Sequence, residues 1–90
     1  MKIDVYDSYA RNLAQQVMHF DVFVESGTSA EEALAYGQKW LESIGENSQT
    51  LSQSRCNFCH TEIANPLVQS TVEQQGYYIL QMEGCPERVL

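Results

Sequence analysis

Alternating hydrophobic and polar positions dominate the first quarter of the chain. Between Lys2 and Asp7, Ile3 and Val5 point one way while Lys2, Asp4 and Tyr6 point the other. The stretch 17–25 alternates more strongly, with Met18, Phe20, Val22 and Val24 on one face and Val17, His19, Asp21, Phe23 and Glu25 on the other. A period of two predicts β-strands. The polar segment 8–16 between them could extend the strands of a hairpin or be a loop. Because the two strands are so close in sequence, we expect them to pair antiparallel.

The spacing changes to that of a helix after the turn Ser26–Thr28. Ser29 and Glu32 form a capping box, with Thr28 and Glu31 as an alternative one residue earlier. Gly45 is placed to end a helix over 30–44. One apolar stripe runs along this helix: Ala30, Ala33, Leu34, Gly37, Trp40, Leu41 and Ile44. We interpret Trp40 as an anchor of the helix on the sheet.

The second half of the chain is less regular. Residues 46–54 are polar, and their second half could be a strand that leads into Cys56. Asn65-Pro66 is typical of a helix start, and Gly76 stops that helix. A last strand follows over 77–82, with Tyr78, Leu80 and Met82 on one face and Tyr77, Ile79 and Gln81 on the other.

These elements predict a single α+β domain over residues 1–90 with the order β-β-α-(β)-α-β. We expect a two-layer sandwich whose helices cover one face of a small, mainly antiparallel or mixed sheet. The other face would then be open, with Asp4, Tyr6, Asp21 and Tyr77 on it, and could bind a protein partner or form a homodimer.

Charge and composition narrow the function. Five Lys+Arg stand against 12 Asp+Glu, a net charge of −7, which argues against nucleic acid and against anionic membrane surfaces. The N-terminus lacks the pattern of a signal peptide, and no apolar run approaches the ~20 residues of a membrane helix. We therefore expect a cytoplasmic protein, in which structural disulfides are disfavoured.

The most distinctive stretch is Cys56-Asn57-Phe58-Cys59-His60. The C-x₂-C spacing lets two thiolates reach one tetrahedral zinc ion, which needs two further ligands. His60, Cys85 and His19 are the candidates, so the predicted metal set is Cys56, Cys59, His60, Cys85 and His19.

Other interpretations of these cysteines stay open. Cys56 and Cys59 could be the dithiol of a thiol oxidoreductase or a redox-sensitive pair, although the helix starts only at Pro66. Covalent haem attachment also uses C-x-x-C-H but belongs to exported proteins. The cysteines could equally be inert packing residues of an interaction module. For His19, with Asp21 as its neighbour on the same face, a half-exposed strand histidine is the simplest interpretation.

The chain also resembles a small family of bacterial proteins, the domain of unknown function numbered twenty twenty-four. The resemblance covers nearly the whole chain. It is carried by Met1–Asp7, Met18–Val22, Ala33–Gly37, Cys56–Glu62, Gly76–Ile79 and Met82–Cys85. It implies one α+β domain that fills the protein, and it brings no catalytic residues.

The leading hypothesis is a small cytoplasmic protein with a zinc-binding or redox-sensitive site and a structural or regulatory role. The sequence contains no P-loop, nucleophile elbow, H-E-x-x-H or dinucleotide fingerprint, so it favours a protein that is not an enzyme and identifies no catalytic residue.

Overall fold

The computed structural model describes residues 2–55, 61–62 and 65–85. A short 3₁₀ helix, Ser48–Thr50, precedes the third strand. The strands and helices in chain order are β1 (Lys2–Arg11), β2 (Val17–Glu25), α1 (Ala30–Ser43), β3 (Ser52–Arg55), β4 (Thr61–Glu62), α2 (Pro66–Gln75) and β5 (Tyr77–Gln81). The α+β class and the predicted element order are confirmed, with β4 as an additional two-residue strand.

The strands form one antiparallel sheet in the order β3-β1-β2-β5, and β4 pairs with the beginning of β1. The sequence predicted a strand to Asp7 and left residues 8–16 open as strand extension or loop; β1 runs to Arg11 because β2 pairs along its whole length. Asp7 lies opposite Asp21, and Tyr9 lies opposite His19. Pairing with β2 thus imposes strand structure on a segment whose own β-propensity is weak.

Local capping explains where both helices begin. The Ser29 hydroxyl oxygen accepts a hydrogen bond from the Glu32 amide at 3.1 Å, as the capping box predicts. The Asn65 side-chain oxygen accepts from the Leu67 amide at 2.9 Å, and Pro66 takes the first helical position. Gly76 ends α2 with φ +97°, a left-handed conformation that strains other residues.

The larger core lies between α1 and one face of the sheet. Phe20 is fully buried there, and the Trp40 ring packs against it with centroids 4.7 Å apart, which confirms Trp40 as an anchor. The buried residues of this core are Tyr6, Ala10, Met18, Phe20, Val22, Val24, Ala33, Leu41, Tyr77 and Ile79.

α2 packs on the opposite face of the sheet. Val68 and Val72 form a second core with Ile3 and Val5, and Phe23 and Tyr78 pack against it. The helices therefore lie on two faces, which corrects the prediction of a two-layer sandwich with both helices on one face. At this end of the sheet the strands carry apolar side chains on both faces, so each face needs a covering helix.

The ten-residue helix α2 covers one end of its face, and no other described helix covers the rest. The uncovered part includes Tyr9, Val17 and Leu80, all of them exposed. The predicted set Asp4, Tyr6, Asp21 and Tyr77 does not share a face: Asp21 lies on the α2 side and the other three on the α1 side. Neither helix among the described residues is long and apolar enough to span a membrane.

Candidate metal centre

The register of the β1–β2 hairpin places three potential metal ligands side by side. Asp7 and Asp21 are direct cross-strand partners, and His19 precedes Asp21 by two residues on the same face. Side chains at such positions are within reach of one another, either directly opposite or on the diagonal. Hairpin pairing therefore builds a cluster of two carboxylates and one imidazole on the uncovered part of the α2 face.

The ligand atoms of this cluster already lie close together. His19 Nε2 is 3.8 Å from Asp7 Oδ1 and 3.9 Å from Asp21 Oδ1. One ligand atom from each residue falls within 4.8 Å of the others. A tetrahedral zinc ion with bonds of 2.0–2.1 Å holds its ligand atoms about 3.3 Å apart. Rotamer adjustments of about an ångström would therefore bring the three atoms into coordination distance.

Two atoms of the cluster lack hydrogen-bond partners. His19 Nε2 and Asp21 Oδ1 are both shielded from water and have no hydrogen-bond partner among the described residues. Asp21 is only 8% exposed. A buried polar atom without a partner costs roughly 1–3 kcal/mol, so native proteins rarely leave one unsatisfied without a reason. A cation between these atoms would satisfy both.

The pKa of Asp21 also indicates a carboxylate whose charge is poorly compensated. Its pKa is raised from 3.8 to about 6. Burial is the main cause, followed by a side-chain hydrogen bond with Asp7 and by repulsion from the Asp7 carboxylate, while His19 opposes the shift. Two facing carboxylates cannot both ionise cheaply in a shielded site. Either a shared proton or a bound cation relieves that repulsion.

Tyr9 holds the imidazole in place. Its ring stacks on the His19 ring with centroids 4.4 Å apart and planes 9° apart. The two residues are cross-strand partners, so the sheet register itself produces the stack. The stack restricts rotation of the imidazole whose Nε2 lies near the two carboxylates.

The metal set predicted from the sequence is brought together only in part. His19 belongs to the cluster, but the Cys85 thiol donates a hydrogen bond to the His19 carbonyl oxygen at 3.3 Å and packs against the α1-side core. Burial raises the pKa of this thiol, which disfavours the thiolate that zinc requires. Cys56, Cys59 and His60 lie outside the described residues, so their role as ligands stays a prediction.

Asp7 and Asp21 were not among the predicted ligands. Alternation along β2 did place Asp21 beside His19, but Asp7 joins them only through the cross-strand register. The hairpin is symmetric about Ala14, with Arg11 opposite Val17. A register centred on the polar segment 12–16 was the signal that could have revealed Asp7.

Comparison with known proteins identifies the family. The family model of a domain of unknown function, DUF2024, matches residues 1–82. The chain is similar to protein NE1680 from Nitrosomonas europaea, a structural genomics target solved by NMR, with 36% identity and a TM-score of 0.69. That match covers 96% of this chain and 100% of the other. No curated protein matches the sequence. The chain therefore belongs to the DUF2024 family, as its sequence motifs indicated.

Proposed function

We propose that this domain binds a divalent metal ion, best matched by zinc, through Asp7, His19 and Asp21. The observation that carries the proposal is a pair of water-shielded atoms, His19 Nε2 and Asp21 Oδ1, 3.9 Å apart, for which the described part of the chain offers no hydrogen-bond partner. Both atoms point into the same small space as the Asp7 carboxylate. The domain would serve a structural or regulatory role.

The ligand types favour zinc. Imidazole nitrogen suits zinc, copper, iron and nickel, whereas an all-oxygen set would suit magnesium or calcium. One nitrogen and two carboxylate oxygens form a set that zinc accepts, and three protein ligands leave a fourth position for water or another group. Two carboxylates also supply two negative charges to offset those of the ion.

The competing proposal is the thiolate site of Cys56 and Cys59, with His60 as a further ligand. Its ligands differ from those of the cluster, so the two proposals are separable by mutation. The dithiol oxidoreductase remains a third proposal, and it depends on the same two cysteines. The half-buried Cys85 thiol, whose pKa is raised by burial, adds no support to either proposal.

The experiment is a titration of the full chain with zinc chloride, monitored by isothermal titration calorimetry and by amide NMR. We expect saturable binding of about one zinc ion per chain, with the largest shifts around Asp7, His19 and Asp21. Asp21→Asn and His19→Gln should each weaken zinc binding at least about tenfold. Glu25→Gln, an exposed carboxylate on the same strand and the same face, is the matched control and should bind as the wild type does.

A Cys56→Ser/Cys59→Ser variant decides between the two metal proposals. If the cluster is the site, this variant keeps its zinc affinity, and cobalt bound in place of zinc gives no thiolate charge-transfer band. Loss of binding in the cysteine variant, with binding retained in Asp21→Asn, would instead establish the thiolate site. The predicted cytoplasmic location and a protein partner or homodimer on the open sheet face remain proposals that this titration does not test.

A further inference from the structure

A groove of about 750 Å³ lies on the α1 side of the sheet, on the opposite face from the Asp7–His19–Asp21 cluster. Its walls are the turn before α1, the first turn of α1, and neighbouring residues of β1 and β3. Its volume falls in the range of small-molecule sites, which combine apolar walls with a few fixed polar groups. We propose that this groove binds a small organic acid whose apolar body carries one N–H or O–H donor.

Arg55 supplies the cationic group of the groove. Its Nη2 lies 3.3 Å from Oδ1 of Asp4, a carboxylate that is only 2% exposed. The Arg55 side chain is 47% exposed and lines the groove, so the guanidinium contacts a buried carboxylate while its side chain stays open to solvent. A guanidinium has five N–H donors in a fixed fork that matches a carboxylate. Arg55 is therefore oriented to receive a second carboxylate.

The buried carboxylate is anchored independently of Arg55. The Ser26 hydroxyl donates to Asp4 Oδ1 at 2.8 Å, and the Gly27 amide donates to Oδ2 at 3.2 Å. These bonds tie Asp4 to the turn before α1, which also lines the groove. Asp4, which positions Arg55, is therefore held in place by the fold. An exposed surface ion pair would have a less fixed geometry.

Gln53 supplies the second recognition group. Its Nε2 donates to the Ala33 carbonyl oxygen at 3.1 Å, which fixes the direction of the amide. Its Oε1 is shielded from water and has no hydrogen-bond partner among the described residues. Gln53 and Arg55 lie two residues apart on one strand face, roughly 6–7 Å along the strand. Gln53 lines the groove, so a ligand N–H or O–H at that distance from its carboxylate would satisfy this acceptor once it displaces the atoms that cover Oε1.

The remaining walls define the ligand body and its charge. Tyr6, Leu34 and Leu51 provide the apolar surface between the polar groups. The N-terminus of the 14-residue helix α1 borders the groove and favours a negative group. Glu31 also lines the groove and repels anions. A single carboxylate matches this balance better than a phosphate with its higher charge.

The test uses three probes with the full chain: indole-3-acetate, naphthalene-1-acetate and indole-3-acetamide. The first has the carboxylate and the N–H donor, the second lacks the donor, and the third lacks the charge. We expect indole-3-acetate to bind with a Kd of about 1 mM, with amide NMR shifts at residues 26–31 and 53–55. Each of the other two probes should bind at least about fivefold more weakly.

Variants locate the site. Arg55→Gln should weaken indole-3-acetate binding about tenfold, whereas Lys39→Gln removes an equal charge from the exposed face of α1 and should change nothing. Ala30→Phe adds bulk at an exposed position of the groove and should abolish binding while leaving the core intact. This second variant, together with the three probes on the wild type, keeps the test valid if Arg55→Gln destabilises the fold.

Three outcomes would overturn the proposal. One is no saturable shift at the groove residues up to roughly 10 mM indole-3-acetate. Another is equal binding of the acid and its amide, which would remove the role of Arg55. The third is shifts confined to Asp7, His19 and Asp21, on the other face. Zinc binding at that cluster should leave indole-3-acetate affinity unchanged, so the two proposals fail independently.

Discussion

Two buried aspartates, one on each face of the sheet, make an instructive contrast. Asp4 is 2% exposed and accepts hydrogen bonds from Ser26, Gly27 and Arg55. Asp21 is 8% exposed, yet its Oδ1 has no hydrogen-bond partner among the described residues, and its pKa is raised to about 6. The residue type and the burial are nearly the same, but the surroundings are opposite.

The contrast is between a buried charge that the fold neutralises with donors and one that it leaves poorly compensated. The donors around Asp4 come from the turn before α1 and from β3, so its negative charge connects three parts of the fold. Asp21 instead faces the Asp7 carboxylate, which repels its charge, and the His19 imidazole, whose Nε2 is 3.9 Å from Asp21 Oδ1. An arrangement of this kind lowers the stability of the folded state. It is expected at a site where a bound ligand compensates the charge.

The largest expected effect comes from Asp4→Asn. An amide at this position places an N–H₂ group against at least one of three donors and removes the charge partner of Arg55. We expect a loss of about 2–3 kcal/mol in the free energy of unfolding at pH 7, measured by urea denaturation in the presence of a chelator. A loss below about 0.5 kcal/mol would mean that the Asp4 network is not structural.

The same substitution at Asp21 should act in the opposite direction. The folded-state pKa of Asp21, about 6, lies above the unfolded value of 3.8. The folded protein therefore holds this proton more tightly, and stability decreases as the pH rises from about 4 to 6. A shift of about two units corresponds to at most about 3 kcal/mol, and solvent near the cluster lowers the expected value to roughly 1–2 kcal/mol.

Asp21→Asn should accordingly exceed the wild type in stability at pH 7 by roughly 1–2 kcal/mol and lose this advantage near pH 4. The quantity to measure is the difference in the free energy of unfolding between the two proteins, determined in urea at each pH with a chelator present. The contributions of the other carboxylates are the same in both proteins and cancel in this difference. A variant that is less stable than the wild type at pH 7 would place Asp21 in the same structural class as Asp4.

A smaller effect is expected from Ser26→Ala. The Ser26 hydroxyl is one of the donors to Asp4, and its removal leaves the Gly27 amide and Arg55 in place. We expect a loss of about 1 kcal/mol, roughly a third to a half of the Asp4→Asn effect. Ser43→Ala, which removes an exposed hydroxyl on α1, is the control and should cost less. If both variants lose the same free energy of unfolding, the Ser26 hydroxyl does not contribute to the Asp4 network.

Much of the fold was predictable because its signals are local. Alternation predicted β1 and β2 and the faces of β2, and the Ser29 and Asn65-Pro66 signals predicted where the helices begin. The placement of α2 was missed, although Ile3, Val5, Phe23 and Tyr78 already formed a second apolar face. The short apolar stripe of α2, Val68 and Val72, does not indicate which face of the sheet the helix covers.

The candidate sites were less predictable because they depend on residues far apart in sequence. Asp7 meets His19 only through the hairpin register, and Asp4 meets Arg55 across 51 positions. The cysteine motif favoured Cys85 as a metal ligand, but its side chain packs against the α1-side core, on the other side of the sheet from the His19 ring. Local motifs predict elements, whereas sites of this kind require the tertiary pairing of those elements.

The smallest expected effect sharpens the account of Asp21 itself. Asp7 contributes a hydrogen bond and charge repulsion to the raised pKa of Asp21, while burial contributes the largest share. Asp7→Asn removes the repulsion and offers an N–H₂ donor, so the Asp21 pKa should fall below about 6 but stay above 3.8. The measurement is a carbon-detected NMR titration of the Asp21 carboxyl, with Glu25→Gln as the control that leaves this pKa unchanged. If Asp7→Asn leaves it near 6 as well, burial alone accounts for the shift. The two carboxylates would then not act as a coupled pair, and the case for a cation shared between them would lose its electrostatic support.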